Sequence, residues 1–223
     1  MPTYEGLRLK INQMKREMLA DRRRKELVHT DFTILSNNCW AGMIYESYHL
    51  QKQTPTVGLF FMAEDYIRFL SGLHEYVSSE LQFIKPGESR WRDEKTIGGD
   101  IRFGSYPVGR LTAGQEHVEV FFLHYHSENE AKEKWERRAK RINWDKLLVK
   151  FNDQNGCTER EVRDFFHLPF RNKLFFTCKD WNLCSDEGYI RIRQFPKHDV
   201  VMASYEPFGK SKYIDMTKVI NRL

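Results

Sequence analysis

Short apolar runs alternate with polar segments along most of the chain. The runs are rich in Phe, Leu, Ile and Val, and they cover residues 32–36, 56–62, 118–125, 147–151 and 173–177. Each has the length of a β-strand, and several are followed by segments whose apolar residues recur at helical spacing. Strand and helix alternating in this order is typical of βαβ units, so we predict an α/β fold with a parallel sheet.

Sequence signals mark where helices begin. Residues 64–79 form one predicted helix, which opens with Glu64 and Asp65, and acidic residues there complement the helix dipole. Ser127 with Glu130, and Thr158 with Glu161, have the spacing of capping boxes. A further helix is predicted to begin near Met43, after the loop 37–42, and a short helix is predicted after Asp215.

The rest of the chain is less regular. Glycines punctuate residues 81–117, which we interpret as an insertion or an antiparallel edge. Residues 180–189 are predicted as a loop, and residues 189–194 and 200–204 as two further strands. The complete prediction is a three-layer, Rossmann-like mixed sheet flanked by helices.

Residues 5–28 form a predicted amphipathic helix. Its narrow apolar stripe lies between basic faces and consists of Leu7, Ile11, Met14 and Met18. Three alternatives remain open for this stripe: packing on the body of the protein, self-association, or contact with an anionic membrane surface. We therefore divide the chain into a basic N-terminal helix, residues 1–30, and a single α/β domain, residues 31–223.

The net charge of +5 does not indicate nucleic-acid binding. Residues 1–30 hold eight basic and four acidic residues, so they contribute +4 and leave the body nearly neutral. No helix-turn-helix, zinc-finger or RNA-recognition signature accompanies that charge. We therefore predict no nucleic-acid partner, and the sequence leaves the oligomeric state open.

Cysteine spacing and hydropathy suggest a cytoplasmic protein, with the inner face of the membrane as an alternative location. The four cysteines, at positions 39, 157, 178 and 184, form no C-x-x-C pair, so we expect free thiols rather than a zinc site. No apolar run approaches the roughly 20 residues that cross a bilayer. The N-terminus lacks the features of a secretory signal.

Candidate site residues follow from the position of ligand sites in open α/β sheets, outside the carboxyl ends of the strands. Five loops meet this rule, and we predict that at least two share a pocket. Their polar residues are Ser36, Asn37, Asn38, Cys39 and Trp40; Glu64 and Asp65; His124, Tyr125 and His126; Asn152, Asp153 and Gln154; and Thr177, Cys178 and Lys179.

Two loops carry the strongest candidates, each with a structural alternative. Asn37 and Asn38 can present amides to sugar hydroxyls and Trp40 can stack on a sugar or base, but turn formation and core packing explain them equally well. Asp153 can bind a divalent metal or act as a base, or it can cap a helix.

Other residues carry weaker signals. His124 is a second acid–base candidate, and it could activate Cys39 as a nucleophile, although isolated cysteines are usually buried and inert. Lys150, Lys179 and Arg110 could hold a diphosphate, with solvated surface charge as the commoner explanation.

Several ordered motifs resemble one known family. They are FTILSNNCWAG (32–42), TPTVGLFFMAEDYIRFL (54–70), YPVGRL (106–111), FLHYHSENEAKEKWERRAKRIN (122–143), LLVKFNDQNGCTE (147–159) and LPFRNKLFFT (168–177). Together they resemble the domain-of-unknown-function nineteen-nineteen family, often labelled exopolysaccharide biosynthesis proteins, over most of residues 30–210. The resemblance implies a bacterial α/β domain linked to surface polysaccharide assembly, without established catalytic residues.

The motifs and strand ends together suggest a glycosyltransferase-like enzyme that uses a nucleotide sugar or a polysaccharide precursor. In this hypothesis Ser36, Asn37, Asn38, Trp40, Glu64, Asp65, Asn152, Gln154 and Lys179 bind substrate. Asp153 and His124 are the catalytic candidates, and a divalent metal is a candidate cofactor. The alternatives are an acyl or phosphoryl transferase that modifies glycans, and a non-catalytic carbohydrate-binding or assembly protein.

Overall fold

The structure is a computed structural model that describes residues 4–181, 187–192 and 199–223. The helices are α1 (Tyr4–Met18), α2 (Ala20–Lys25), α3 (Trp40–Ser47), α4 (Ala63–Ser71), α5 (Leu73–Ser78), α6 (Lys95–Gly98), α7 (Glu128–Ala139), α8 (Glu159–His167) and α9 (Met216–Ile220). The strands are β1 (Thr33–Ser36), β2 (Gln82–Ile84), β3 (Val108–Ala113), β4 (Glu116–Phe121), β5 (Leu147–Asn152), β6 (Lys173–Thr177) and β7 (Tyr189–Arg191).

Four of the strands form a parallel sheet in the order β1-β5-β6-β7. Side chains alternate across it: Val149 packs with the core formed by α4, α7 and α8, and Leu148 packs with the core formed by α3 and α9. Because both faces are covered, the strands are apolar almost throughout. The prediction of an α/β fold with helices on both sides of a sheet is confirmed.

The remaining three strands form an antiparallel sheet in the order β2-β3-β4. The antiparallel strands predicted within residues 81–117 are present, but they form a separate sheet and not an edge of a mixed one. The apolar run 118–125 supplies most of β4. A Cβ on Gly109 in β3 would lie 2.7 Å from a methyl carbon of Leu81 and 2.8 Å from the ring of Phe122, so this packing requires glycine.

Two predicted strands are wrong. Residues 56–62 form one isolated bridge, between Phe60 and Phe121, because Gly58 has a φ of +71° and interrupts the extended backbone. Residues 200–204 run into a 3-10 turn at Ala203–Tyr205. There the Val201 N–H donates to the Asp153 carboxylate (2.7 Å) and not to the backbone of a neighbouring strand.

Helix ends agree with the sequence in most cases. Thr158 and Glu161 form the predicted capping box, and Asp215 caps α9. At α7 the Ser127 hydroxyl accepts from the Glu130 N–H (3.2 Å), while the Glu130 carboxylate accepts from His126, so only half of that box forms.

Four other predictions differ in their limits. The helix predicted to begin near Met43 begins at Trp40, so part of the predicted loop 37–42 is helical. The helix predicted over 5–28 is divided at Leu19, and the helix predicted over 64–79 is divided at Gly72. The predicted strand 189–194 is present as β7 over Tyr189–Arg191, and its last two residues lie outside the described part of the chain. Residues 182–186 of the predicted loop 180–189 also lie outside it. No helix in the described ranges is long and apolar enough to cross a membrane.

Candidate functional site

The loops that follow β1 and β5 meet at one edge of the parallel sheet. The two strands are adjacent, with Ser36 opposite Lys150, so their carboxyl ends lie side by side. The Asn37 amide nitrogen donates to Asn152 Oδ1 (2.8 Å), and that of Asn38 donates to Gln154 Oε1 (3.1 Å). Two of the five predicted loops therefore share one site.

A buried ion pair lies beneath these loops. Lys150 Nζ is 2.5 Å from Glu206 Oε1, and both side chains are completely inaccessible to solvent. Lys150 also donates to Asn38 Oδ1 (3.0 Å), and Asn152 donates to Glu206 Oε1 (2.7 Å). The ammonium lies over the rings of Trp40 and Phe176. The ion pair therefore holds the side chains of Asn38 and Asn152 in place.

Burial shifts the pKa of both members of the pair toward the uncharged form. It lowers the pKa of Lys150 to about 8, against the opposing effect of Glu206, and it raises the pKa of Glu206. Glu206 Oε2 and Asn37 Oδ1 are buried without a hydrogen-bond partner among the residues that the structure describes. The network therefore contains polar atoms whose desolvation is not fully compensated.

The shifted pKa of Lys150 predicts a pH dependence of stability. The ordinary pKa of a lysine is 10.5, and the pKa of Lys150 in the folded protein is about 8. Between these two pH values the unfolded chain therefore binds more protons at this lysine than the folded protein does. The lysine's contribution to the free energy of unfolding therefore increases with pH by about 3 kcal/mol over that interval. Urea titrations at several pH values check this, comparing the wild type with a Lys150→Met/Glu206→Leu variant. Parallel pH curves for the two proteins would contradict the assignment.

A cleft of about 720 Å³ opens above the polar network. Asn38, Gln154 and Asn155 form its polar floor, and Phe60 and Leu123 form an apolar wall. The segment in and around α6 contributes Lys95 and Arg102. Its volume is in the range of small-molecule sites, and its position is the usual one for ligands in parallel α/β sheets.

The hydrogen-bond donors that line the cleft differ in whether they already have a partner within the protein. Arg102 holds the Asp100 carboxylate through Nε and Nη2, both at 2.9 Å, so its charge is largely balanced. Lys95 forms no ion pair with any residue in the described ranges. The Gln154 amide oxygen accepts from Asn38 and Asn152, which leaves its amide nitrogen for a ligand.

A second, smaller cavity of about 260 Å³ adjoins the cleft. Both are lined by Cys39, Met43 and His124. Burial, more than any other factor, raises the pKa of Cys39 to about 11, so the thiol stays protonated near neutral pH. Burial and then Arg102 lower the pKa of His124, so its imidazole is neutral there. His124 can accept a proton at this position, whereas Cys39 lacks the thiolate character of a nucleophile.

Asp153 contacts protein donors through both of its carboxylate oxygens. Oδ2 accepts from the Thr177 hydroxyl (2.7 Å) and from the Cys178 N–H (2.9 Å), and Oδ1 accepts from the Val201 N–H (2.7 Å). The side chain is buried. This geometry makes Asp153 a clamp between the loops after β5 and β6 and the segment at residue 201.

The same geometry does not suit the divalent metal considered from the sequence. Both Asp153 oxygens are already used, and the described ranges contain no group of three or more His, Cys, Asp or Glu side chains that could hold a metal ion. We therefore assign no step of the chemistry to a metal.

Several predicted site residues lie elsewhere. Glu64 pairs with Arg68 on the surface of α4 (3.0 Å). Asp65 is buried against the antiparallel sheet, where it contacts Arg90 and accepts from Trp91 Nε1 (2.6 Å), and burial raises its pKa to about 6. These two carboxylates do not line the cleft, because α4 directs them toward β4 and the surface.

The aromatic and basic candidates are also placed differently from the prediction. Trp40 is fully buried and donates its indole N–H to the Pro207 carbonyl (2.7 Å), so it packs in the core and does not stack on a ligand. The Lys179 ammonium lies over the Trp181 ring, 5.2 Å from its centre. Arg110 pairs with Glu119 in the antiparallel sheet (3.3 Å). The Ser36 hydroxyl donates to Asn38 Oδ1 (3.0 Å) and orients that amide.

Sequence reasoning missed Glu206, Lys95, Arg102 and Asn155. One signal was available: a lysine inside the run LLVKF of a strand covered on both faces must be buried and paired. Its partner could not be identified, because Glu206 lies in an irregular segment far along the chain. Asn155 adopts a φ of +58°, and its amide donates to the Phe61 carbonyl (3.0 Å).

The fold and the site define an α/β protein with a ligand-sized cleft at the carboxyl ends of its parallel strands. The family model of DUF1919, a domain of unknown function, matches residues 10–223. The chain belongs to this family. It is 30% identical over 217 residues to a protein of Haemophilus influenzae (strain ATCC 51907 / DSM 11121 / KW20 / Rd) described as an uncharacterized protein, and the match covers 96% of this chain and 95% of that protein.

Proposed function

We propose that this chain is a transferase that binds a nucleotide sugar in the cleft and transfers the sugar to an acceptor during assembly of a bacterial surface polysaccharide. The observation that carries the proposal is the cleft itself, at the carboxyl ends of two adjacent parallel strands. It combines an apolar wall, amide groups and a lysine, which are the groups that a base or sugar face, hydroxyls and a diphosphate require. The motif resemblance supports the polysaccharide context.

Each side of the cleft has a role in this proposal. Lys95 contacts the diphosphate, with Arg102 beside it, and the Gln154 amide nitrogen donates to a sugar hydroxyl. Asn38, which the buried ion pair holds from below, keeps Gln154 in place. Phe60 and Leu123 cover the apolar face of the ligand.

His124 is the base in the proposed reaction. Its neutral ring takes the proton of an acceptor hydroxyl as the hydroxyl oxygen forms a bond to the sugar carbon. The bond between that carbon and the phosphate oxygen breaks, and the nucleoside diphosphate leaves with the electron pair. Lys95 then balances the developing charge on the diphosphate, because Arg102 is already paired with Asp100.

Isothermal titration with a panel of UDP-, GDP-, ADP- and dTDP-linked sugars tests the proposal. We expect one of them to bind and Lys95→Gln to weaken that binding about tenfold, because a charge-assisted hydrogen bond is lost. Lys85→Gln is the matched control, since Lys85 is exposed on the same segment outside the cleft. Failure of all the donors to bind would contradict the proposal.

A second measurement separates an enzyme from a carbohydrate-binding protein. We expect His124→Ala to retain donor binding and to lose transfer to an acceptor, followed as release of nucleoside diphosphate. Donor binding without turnover in the wild type would favour a carbohydrate-binding protein. Unchanged turnover in His124→Ala would show that another group is the base. Preference for acetyl-CoA over nucleotide sugars would point instead to acyl transfer.

A further inference from the structure

The N-terminal helical segment packs on the body through a side that combines polar and small or apolar residues and excludes the apolar stripe. The positions that are buried or half-buried recur at helical spacing and are Asn12, Arg16, Ala20, Arg23 and Leu27. The guanidinium groups of Arg16 and Arg23 lie over the Phe208 ring, at 5.5 and 5.2 Å from its centre, and Arg23 donates to the Ser47 carbonyl (3.1 Å).

The apolar stripe lies on the opposite side and is exposed. Leu7, Ile11, Met14 and Met18, here called the outer stripe, keep between 42% and 77% of their surface accessible. This reverses the usual arrangement, in which a helix buries its apolar face and presents its polar face to water. The first of the three alternatives for the stripe, packing on the body of the protein, is therefore wrong.

Basic residues continue and flank the outer stripe. The Arg23 N–H donates to the Leu19 carbonyl (3.0 Å), so the helical phase carries on from α1 into α2. In that phase Arg22 and Lys25 follow Met18 on the outer side, and both are exposed. Lys10 and Lys15 are exposed on the two flanks of the stripe.

We propose that the outer stripe binds the surface of an anionic lipid bilayer. The helices would lie in the plane of the interface, with the four apolar side chains among the acyl chains and the lysines and Arg22 at the headgroups. Exposed Glu17 and Asp21 lie on the same helices and Glu26 pairs with Arg22 (3.6 Å), but the seven basic residues between positions 10 and 25 outnumber the two acidic ones there. A net cationic helix with an apolar strip matches the chemistry of a bilayer that is apolar inside and negatively charged at its surface.

A second copy of the chain fits this face less well. A stable protein interface buries about 800 Å² and roughly 20–30 residues on each partner, and four side chains on three helical turns supply much less. Two copies paired through the stripe would also bring their cationic flanks together, which is unfavourable.

Cosedimentation with two kinds of vesicle tests the proposal. We expect the full chain to bind vesicles of phosphatidylethanolamine and phosphatidylglycerol, and to bind phosphatidylcholine vesicles weakly or not at all. Raising the salt concentration should release the protein, because screening weakens the headgroup contacts.

Variants on the outer side should separate the apolar contribution to vesicle binding from the electrostatic one. Ile11→Gln/Met14→Gln/Met18→Gln is expected to lower partitioning into anionic vesicles by at least about tenfold, while glutamine keeps the helix propensity. Arg22→Gln/Lys25→Gln should weaken binding to anionic vesicles and reduce its dependence on salt. The matched controls are Ile101→Gln, at a fully exposed apolar residue, and Arg137→Gln/Arg163→Gln, at exposed arginines elsewhere, which should bind as the wild type does.

Two outcomes would overturn the proposal. One is equal vesicle binding by the wild type and the triple glutamine variant, or no binding by either. The other is a concentration-dependent dimer in sedimentation velocity that the triple variant abolishes, because a second copy would then cover the stripe. The substituted side chains are exposed, so loss of folding should not intervene, and circular dichroism verifies this.

Discussion

Replacing Glu206 by alanine is expected to lower the free energy of unfolding by about 3–5 kcal/mol. The substitution leaves the Lys150 ammonium in a fully buried position without its counter-charge, and it removes an acceptor from Asn152. Urea denaturation followed by circular dichroism measures the change. Glu133→Ala is the matched control, because Glu133 forms an exposed ion pair with Arg137 and should contribute less than about 1 kcal/mol.

A double variant distinguishes the loss of the pair from the loss of a single charge. Lys150→Met/Glu206→Leu should recover most of the stability lost in Glu206→Ala, because replacing a whole buried ion pair by apolar side chains is often neutral or stabilising. The same variant is expected to bind nucleotide sugars more weakly, since Asn38 loses its donor from Lys150. A cost below about 1 kcal/mol for Glu206→Ala would show that Lys150 is not stabilised by this contact.

Replacing Asp153 by alanine is expected to lower the free energy of unfolding by about 3 kcal/mol or more. Three donors lose their acceptor at once, from Thr177, Cys178 and Val201, and Asp153 itself is buried. Asp180→Ala is the control, because Asp180 lies in the loop that follows β6 and forms an exposed pair with Arg191. Its cost should stay below about 0.5 kcal/mol.

The Asp153 variant also tests the catalytic role that the sequence suggested. If Asp153 is a clamp, Thr177→Val should reproduce part of the loss of stability, since it removes one of the three donors. A stable Asp153→Ala protein that retains donor binding and loses all transfer activity would instead identify Asp153 as a catalytic residue.

Local signals predicted much of the parallel sheet. Residues 147–151 and 173–177 are apolar because β5 and β6 are covered on both faces, and the capping box at Thr158 identifies the start of α8. The rule that ligands bind at the carboxyl ends of such strands correctly predicted that the loops of Asn38 and Gln154 lie in one site. These features depend on a few neighbouring residues, which a single sequence displays.

Features that depend on distant partners could not be predicted. The segments at residues 56–62 and 200–204 are as apolar as true strands, but their hydrogen bonds go partly to side chains. The Ser36 N–H donates to the Thr56 hydroxyl (3.1 Å), and Val201 donates to Asp153. A strand prediction counts β propensity and cannot detect that a carboxylate or a hydroxyl has replaced the neighbouring strand.

The outer stripe shows a different limit. Periodicity correctly located one apolar face on the N-terminal helix, but it could not show which face contacts the body. Arg16 and Arg23 dock because Phe208 offers a ring and Ser47 a carbonyl at that position, and neither contact leaves a local pattern in the sequence.

The isolated bridge between Phe60 and Phe121 has a mechanical consequence. The segment that contains it also touches the parallel sheet, where the Phe61 N–H donates to the Asn37 carbonyl (3.0 Å). Phe60 on one side of the cleft therefore belongs to the connection between the two sheets, and Leu123 follows β4, while Asn38 and Gln154 follow strands of the parallel sheet. Widening the cleft at this seam would leave both ladders intact but would have to part the apolar core in which Phe61, Val120 and Phe151 pack together, so side-chain packing between the sheets sets the width of the cleft.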